Sequence, residues 1–182
     1  MHIERHFTTA GMDPLAHVNF IERTSVIRNL DGTSVSEATI FAPENWSQTA
    51  VDVLAQKYAR RAGVPLNTRK IRNDAMPQTF WRCEPVAGTE YGGETDARQI
   101  FHRMAGCWTY WAWKSGHFGR LTNTGCSIDA QAFYDEIVFM LANQMVAPNS
   151  PQWFNTGLHW AYGITRPPQG HWFVPDAGGE PQ

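Results

Sequence analysis

The stretch TDARQIFHRMAGCWTYWAW, residues 95–113 of this 182-residue sequence, predicts one long amphipathic helix. Its apolar residues recur every three or four positions, which places them on one helical face. Gly106 lies within this pattern and costs a helix about 1 kcal/mol relative to alanine. We therefore expect another part of the protein to pack closely against that glycine. The apolar face consists of Ile100, Phe101, Met104, Ala105, Trp108 and Trp111.

Two further helices are predicted from the same periodicity. Residues 46–62 carry an apolar stripe that follows Ser47, a favourable N-cap, and Gly63 ends the stripe. Residues 129–146 carry another stripe, which Pro148 ends because the residue before a proline avoids the helical conformation. Helix therefore dominates the predicted secondary structure.

Strand-forming residues cluster near the N-terminus. Residues 24–41 alternate partly in polarity around Asp31-Gly32, a dipeptide typical of hairpin turns. Residues 73–93 are rich in proline and glycine and predict a long connecting loop, and irregular chain is predicted from Asn149 onward. The predicted fold class is α+β, mainly α with a small N-terminal β-hairpin.

The composition excludes several classes of protein. Hydrophobic residues make up 42% of the chain, which argues against disorder. The net charge of −2 gives no basic excess of the kind that nucleic-acid-binding domains show. No apolar run approaches the ~20 residues of a membrane span, and the first residues lack the apolar core of a secretory signal. We expect a soluble cytoplasmic protein that binds neither nucleic acid nor membrane.

The cysteines and histidines form no recognisable metal or redox motif. No CxxC pair is formed by the three cysteines, which are Cys83, Cys107 and Cys126, and neither HExxH nor HxH occurs. We therefore predict no metal site and expect each cysteine to be a free, buried thiol. The nucleotide-binding patterns GxxxxGK[ST] and GxGxxG are also missing.

One short loop could hold a polar ligand. Ser150 precedes Pro151, and its hydroxyl and the nearby backbone N–H groups could bind a phosphate or hydroxyl oxygen. Taken alone, this pattern is more often explained by ordinary turn chemistry.

Two long strings, RQIFHRMAGCWTYW at residues 98–111 and APNSPQWFNTGLHWAYG at residues 147–163, closely resemble a known family. They are similar to the N-terminal region of vitamin B12-dependent, class II ribonucleotide reductase. The resemblance extends over nearly the whole chain, since residues 3–9 and 23–29 also fit that region.

The resemblance implies a radical reaction whose main parts lie outside this chain. Adenosylcobalamin would generate a thiyl radical on a cysteine inside a ten-stranded α/β barrel, and the radical would initiate reduction of a ribonucleotide for DNA synthesis. No N-x-C-x-E motif, which carries the radical cysteine in the family, occurs here. We therefore assign no catalytic residue to this chain and expect most cobalamin contacts to lie elsewhere.

The resemblance also strengthens the interpretation of the loop at Ser150 as a ligand-binding site. In this superfamily a hydroxyl residue before a proline contacts the substrate nucleotide, and Ser150 matches that position. Ser150 is thus the predicted substrate-binding residue, and Asn149 and Gln152 are weaker candidates. Residues 1–146 would form a hairpin plus helical domain that caps the barrel, and residues 147–182 would lead into it.

Two main interpretations of the chain remain open at this stage, beside a weaker third, an aromatic sugar- or base-binding domain unrelated to reductases. It could be the N-terminal part of such a reductase, truncated or separately encoded, with the ribonucleotide and the missing catalytic barrel as partners. Alternatively, it could be a non-catalytic binding or interaction module that kept the fold and lost the chemistry. Unshielded aromatic residues would then favour self-association into a homo-oligomer.

Overall fold

The structure, a computed structural model, describes residues 1–29, 34–73, 78–119 and 127–165. Among these residues helices make up most of the regular secondary structure, and the strands form three two-stranded sheets. In chain order the elements are β1 (Phe20–Arg28), β2 (Ser34–Pro43), α1 (Gln48–Val53), β3 (Val64–Pro65), β4 (Thr68–Lys70), β5 (Cys83–Pro85), β6 (Tyr91–Gly92), α2 (Ala97–Lys114), α3 (Ile128–Ala142), α4 (Ser150–Asn155) and α5 (Leu158–Tyr162).

The predicted N-terminal hairpin is confirmed. Strands β1 and β2 pair antiparallel from Phe20 opposite Pro43 to a bulge at Ile27/Arg28. The predicted Asp31-Gly32 turn lies outside the described residues. Strand β2 continues toward α2, because the N–H of Phe41 donates to the carbonyl oxygen of Thr95 at 2.9 Å.

The first predicted helix is shorter than its apolar stripe suggested. Ser47 caps α1 as expected, but the α-helix ends at Val53 and a π-helical turn follows over Leu54–Tyr58. The chain is extended at Ala59, and Arg60 then forms two hydrogen bonds with Glu94. The N–H of Arg60 donates to the Glu94 carboxylate at 2.8 Å, and the N–H of Glu94 donates to the Arg60 carbonyl at 2.6 Å. This tertiary pairing withdraws residues 59–62 from the helix.

Helix α2 matches the prediction and forms the centre of the fold. It begins with a capping box between Asp96 and Gln99, so its first N–H groups have partners. Gly106 packs as expected: a Cβ there would lie 2.1 Å from the Trp160 indole. Ile100, Phe101 and Met104 are fully buried and join the hairpin, α1 and α3 in one core.

Helix α3 ends at Ala142, four residues earlier than predicted. The side-chain amide of Asn143 donates to the Phe139 carbonyl at 2.9 Å. Gln144 then takes a left-handed conformation with φ 55°. These two residues, rather than Pro148, terminate the helix.

Two predictions of irregular chain are wrong. The segment 73–93 contains β5 and β6, which pair with β4 and β3 as short antiparallel ribbons. The segment after Asn149 contains α4 and α5, whose short lengths leave too few turns for a visible periodicity. Their apolar residues are buried by contact with α2, as Trp153, Leu158 and Trp160 show.

The described residues form a mixed helical domain with small sheets and contain no barrel. Cys107 is buried and Cys83 half-buried, both as free thiols, while Cys126 lies outside the described residues. In the described part of the chain, no helix is long and apolar enough to cross a membrane. No three His, Cys, Asp or Glu side chains among those residues are grouped to hold a metal ion.

Candidate functional site

The three predicted substrate-binding residues lie on the first turn of α4. Asn149 is the N-cap, with φ −65° and ψ 158°, and its side chain accepts the N–H of Gln152 at 3.4 Å. Ser150 is the first helical residue, although a residue before a proline usually avoids the helical conformation. A proline is tolerated there because the N–H groups of a first helical turn have no intrahelical partner.

The Ser150 hydroxyl is exposed and faces a tyrosine. Its Oγ lies 3.1 Å from the Tyr58 hydroxyl, at the end of the π-helical turn. The Tyr58 ring is stacked on Trp153 at a centroid distance of 5.4 Å and an interplanar angle of 4°. The stack on Trp153 therefore holds the Tyr58 hydroxyl next to the Ser150 hydroxyl.

Gln152 lines a separate open cleft of about 420 Å³ between α2, α4 and α5. Its side-chain oxygen accepts the hydroxyl hydrogen of Thr156. Asn149 and Ser150 are not among the residues of this cleft. The structure thus brings the three candidates onto one turn of helix but directs only Gln152 into the cleft.

The cleft contains residues that sequence reasoning missed. Arg82 Nη1 contacts His159 Nε2, so a guanidinium and an imidazole ring lie side by side in the cleft. Trp111, half-exposed, forms part of the wall, and none of the described residues that line the cleft is a carboxylate. A cation beside aromatic and amide groups suits an anionic ligand with a planar ring. No spacing rule signals this pair, because 77 positions separate its members.

Cys107 lies at the same cleft, but it is not poised as a nucleophile. Burial raises the pKa of its thiol to about 12. Since the thiolate is the reactive form, this cysteine stays protonated and inert near neutral pH.

A buried ion pair lies beneath α4. Arg103 of α2 and Glu94 have fully buried side chains, and Nε of the arginine donates to Oε1 of the glutamate at 2.6 Å. The Tyr162 hydroxyl of α5 donates to the same oxygen at 2.9 Å. Burial raises the pKa of Tyr162 above its usual range, so the phenol remains a donor. The signal in the sequence was an arginine between the apolar residues of α2, and helical periodicity did not mark it as buried.

Comparison with known proteins gives one consistent result. The family profile described as "Class II vitamin B12-dependent ribonucleotide reductase" matches residues 21–144. A vitamin B12-dependent ribonucleotide reductase from Bradyrhizobium diazoefficiens is 52% identical over 96% of this chain, and one from Agrobacterium fabrum is 49% identical over the same share. A third, from Rhodopirellula baltica, is 28% identical over 85% of the chain. The chain spans about 14% of the length of the first two relatives and 12% of the third.

Proposed function

Because the chain belongs to the class II vitamin B12-dependent ribonucleotide reductase family, we propose that it serves as the N-terminal part of such an enzyme. The enzyme would convert ribonucleotides to deoxyribonucleotides for DNA synthesis with adenosylcobalamin. This chain would supply one side of the substrate pocket and structural support, whereas the catalytic cysteines would lie on a barrel that follows it. We place the enzyme in the cytoplasm.

The exposed Ser150 hydroxyl is the observation that carries the proposal. It stands before Pro151 at the start of α4, and Tyr58 is its hydrogen-bond partner at 3.1 Å. A hydroxyl so placed can donate to a phosphate oxygen while it accepts from the phenol. Ser150 would bind the nucleotide, with the exposed Asn149 amide beside it.

Gln152 would contribute from the neighbouring cleft. The cleft offers the Arg82 guanidinium, the His159 ring and the Trp111 indole without an opposing carboxylate. These groups favour an anionic, ring-containing ligand, which agrees with a nucleotide lying across this face of the chain.

The larger clefts on the described part of the chain are too small to enclose cobalamin. The five clefts described on this part of the chain are open, and the two largest measure about 420 Å³. Pockets for drug-sized ligands measure about 300–1,000 Å³, and a corrin with its nucleotide tail is larger than such ligands. The cofactor would therefore be held mainly by the rest of the enzyme, and we assign it no residue here.

The barrel is the proposed principal partner. Helix α4, the exposed Trp111 and the open cleft lie together, so a docked barrel would cover apolar surface and close the pocket. Residues 147–182 would lead from this domain into the barrel, and a homo-oligomer of the whole enzyme is compatible with this arrangement.

A chimeric enzyme tests the proposal. This chain would replace the corresponding N-terminal region of the Bradyrhizobium diazoefficiens relative, to which it is 52% identical. We expect adenosylcobalamin-dependent reduction of a ribonucleotide to be retained. Ser150→Ala should raise KM about 3- to 10-fold, the equivalent of one neutral hydrogen bond. Ser34→Ala, an exposed serine on the hairpin, is the matched control and should leave KM unchanged.

An inactive chimera beside an active parent enzyme would contradict the proposal. It would favour the alternative, a stand-alone binding module. Full activity together with an unchanged KM for Ser150→Ala would retain the family function but remove Ser150 from the substrate site.

A further inference from the structure

We propose that Arg103 is a positioning residue for substrate binding: its guanidinium holds α4 and the π-helical turn in the arrangement that presents the Ser150–Tyr58 hydroxyl pair. This inference rests on the proposed function. It goes further because Arg103 is fully buried and would act through the elements it holds rather than by contact with the substrate.

Three backbone carbonyl groups from two chain segments converge on this guanidinium. Nη1 donates to the Thr156 carbonyl at 2.7 Å, and Nη2 donates to the Trp153 carbonyl at 2.6 Å. Nη2 also lies 3.4 Å from the Tyr58 carbonyl. The first two carbonyls belong to the end of α4, and the third ends the π-helical turn. One side chain therefore joins the two elements that carry Ser150 and its partner.

These carbonyls need an external donor. The last carbonyls of a helix have no intrahelical partner, and a helix of six residues is too short to be stable by itself. A planar guanidinium offers five N–H groups in a fixed fork, so it can serve several carbonyls at once and fix their relative positions. A lysine ammonium, a single point of charge, cannot reproduce that geometry.

Gly157 brings the chain after α4 directly onto the backbone of α2. It has φ 83°, and a Cβ at this position would lie 2.0 Å from the carbonyl oxygen of Arg103. The left-handed conformation and the missing side chain together allow this approach. The chain after α4 therefore lies against the α2 backbone at Arg103. If it moved away from α2, the hydrogen bonds from the Arg103 guanidinium to the Trp153 and Thr156 carbonyls would break.

Glu94 fixes the guanidinium in turn. Its Oε1 accepts from Nε of Arg103 and from the Tyr162 hydroxyl, and its Oε2 accepts from the N–H of Arg60 at 2.8 Å. Among the described residues, no buried side-chain nitrogen or oxygen lacks a hydrogen-bond partner. A fully satisfied buried network of this kind favours one geometry. The arrangement explains why an arginine can lie fully buried in α2.

Arg103→Lys in the chimeric enzyme tests the inference through the split between KM and kcat. We expect KM for the ribonucleotide to rise about tenfold, because small displacements of binding groups are costly. The kcat at saturating substrate should stay within about twofold, since the chemistry lies elsewhere. Arg69→Lys is the matched control: Arg69 pairs with Glu84 at the surface and should change neither constant.

A second measurement on the 182-residue chain alone keeps the inference testable without activity. Hydrogen exchange at the Thr156 amide, which donates to the Gln152 carbonyl at 3.0 Å, should accelerate in Arg103→Lys and stay unchanged in Arg69→Lys. Tyr162→Phe, which removes one hydrogen bond from Glu94, provides a milder variant. We expect it to shift KM and exchange in the same direction by a smaller factor.

The failures of the two proposals are distinguishable. An inactive wild-type chimera would contradict the proposed function. If the wild type is active and Ser150→Ala raises KM, but Arg103→Lys and Tyr162→Phe do not, the positioning role alone is overturned. A fall in kcat without a rise in KM would overturn it as well. If Arg103→Lys fails to fold, the Tyr162→Phe result decides.

Discussion

At Gly106, an added Cβ would lie 2.1 Å from Cη2 of Trp160. The indole has little room to move, because it is 4% exposed and its Nε1 donates to the Phe80 carbonyl at 3.2 Å. The glycine that weakens α2 as an isolated helix is therefore required for the contact between α2 and α5. Sequence alone predicted a close approach here but could not identify the partner, which is 54 positions away in the chain.

Gly106→Ala separates helix propensity from packing. Propensity alone would stabilise the helix by about 1 kcal/mol. Overpacking against a fixed aromatic ring costs about 1–3 kcal/mol, and an overlap this severe places the cost at the upper end. We expect a net loss in the free energy of unfolding, measured by urea denaturation. Gly119→Ala, where a Cβ meets nothing within 4 Å, is the control. A more stable Gly106→Ala protein would contradict this packing.

The Arg103–Glu94 pair has a stability consequence apart from its proposed role in substrate binding. Removing one partner leaves the other buried without its counter-charge, which costs about 3–5 kcal/mol. We expect Arg103→Met and Glu94→Leu each to lose stability in that range, and the double variant to lose clearly less than their sum. Arg69→Met, at an exposed ion pair, should cost at most about 1 kcal/mol. Additive single-variant losses in urea denaturation would show that the buried pair is not coupled.

At the scale of elements, sequence periodicity predicted those whose own residues determine them. Helix α2 is 18 residues long and carries its own capping box, so local signals sufficed. The end of α1 and the start of α4 were not predictable in the same way. The first is set by the pairing of Arg60 with Glu94, and the second is a six-residue helix held by α2. In both cases a distant contact overrides or replaces the local preference.

Helix α3 organises the N-terminal segment, which has no regular secondary structure before Phe20. Asp129 accepts the N–H of Ile3 at 2.9 Å, and Asp135 pairs with Arg5 at 2.7 Å. Glu136 accepts the backbone N–H groups of residues 7 and 8 at 2.9–3.1 Å, and the Thr8 hydroxyl at 2.6 Å. Three acidic side chains of α3 thus bind the N-terminal segment, as a neighbouring strand would in a sheet.

The attachment of this segment should depend on pH. Burial opposes ionisation of Glu136, but hydrogen bonds from the Thr8 hydroxyl and from backbone N–H groups outweigh it and hold its pKa below the ordinary 4.5. An acid with a lowered pKa in the folded state contributes stability above its unfolded pKa and loses it as pH falls through the folded one. We therefore expect the attachment through Glu136 to be lost only as the pH falls below 4.5.

Hydrogen-exchange protection factors at the amides of Phe7 and Thr8 measure this loss of attachment, and they correct for the intrinsic pH dependence of exchange. Protection should fall as pH drops below 4.5 in the wild type, whereas Glu136→Gln should show low protection at every pH. Burial raises the pKa of Asp135, but this residue is present in both proteins. Its effect therefore largely cancels when the wild-type and Glu136→Gln pH profiles are compared. A wild-type pH profile matching that of Glu136→Gln would contradict the assignment.

At the scale of the whole molecule, the sequence located the segment of the candidate site but not its surroundings. Ser150, Asn149 and Gln152 are adjacent in sequence, so a motif could point to them. Their neighbours Tyr58 and Arg82 come from other parts of the chain, and only the fold brings them near. Resemblance to a family can identify a short motif in the sequence. It does not identify the side chains that orient this motif, because those come from distant parts of the chain.

The predicted division between residues 146 and 147 does not coincide with a break in packing. Trp153 belongs to the same hydrophobic core as α2, and Leu158 and Trp160 cover Cys107. A chain that ends at residue 146 should therefore expose that thiol. Because burial raises its pKa to about 12 in the full chain, exposure should also increase the fraction of reactive thiolate.

Alkylation of Cys107 by iodoacetamide at pH 8, followed by peptide mass spectrometry, measures this directly. We expect slow modification in the 182-residue chain and modification in the 1–146 chain at a rate near that in concentrated urea, where the thiol is fully exposed. Equal protection in both chains would mean that α4 and α5 are dispensable for the core. Residues 147–165 would then be an appendage, and Arg103 could not hold Ser150 through them.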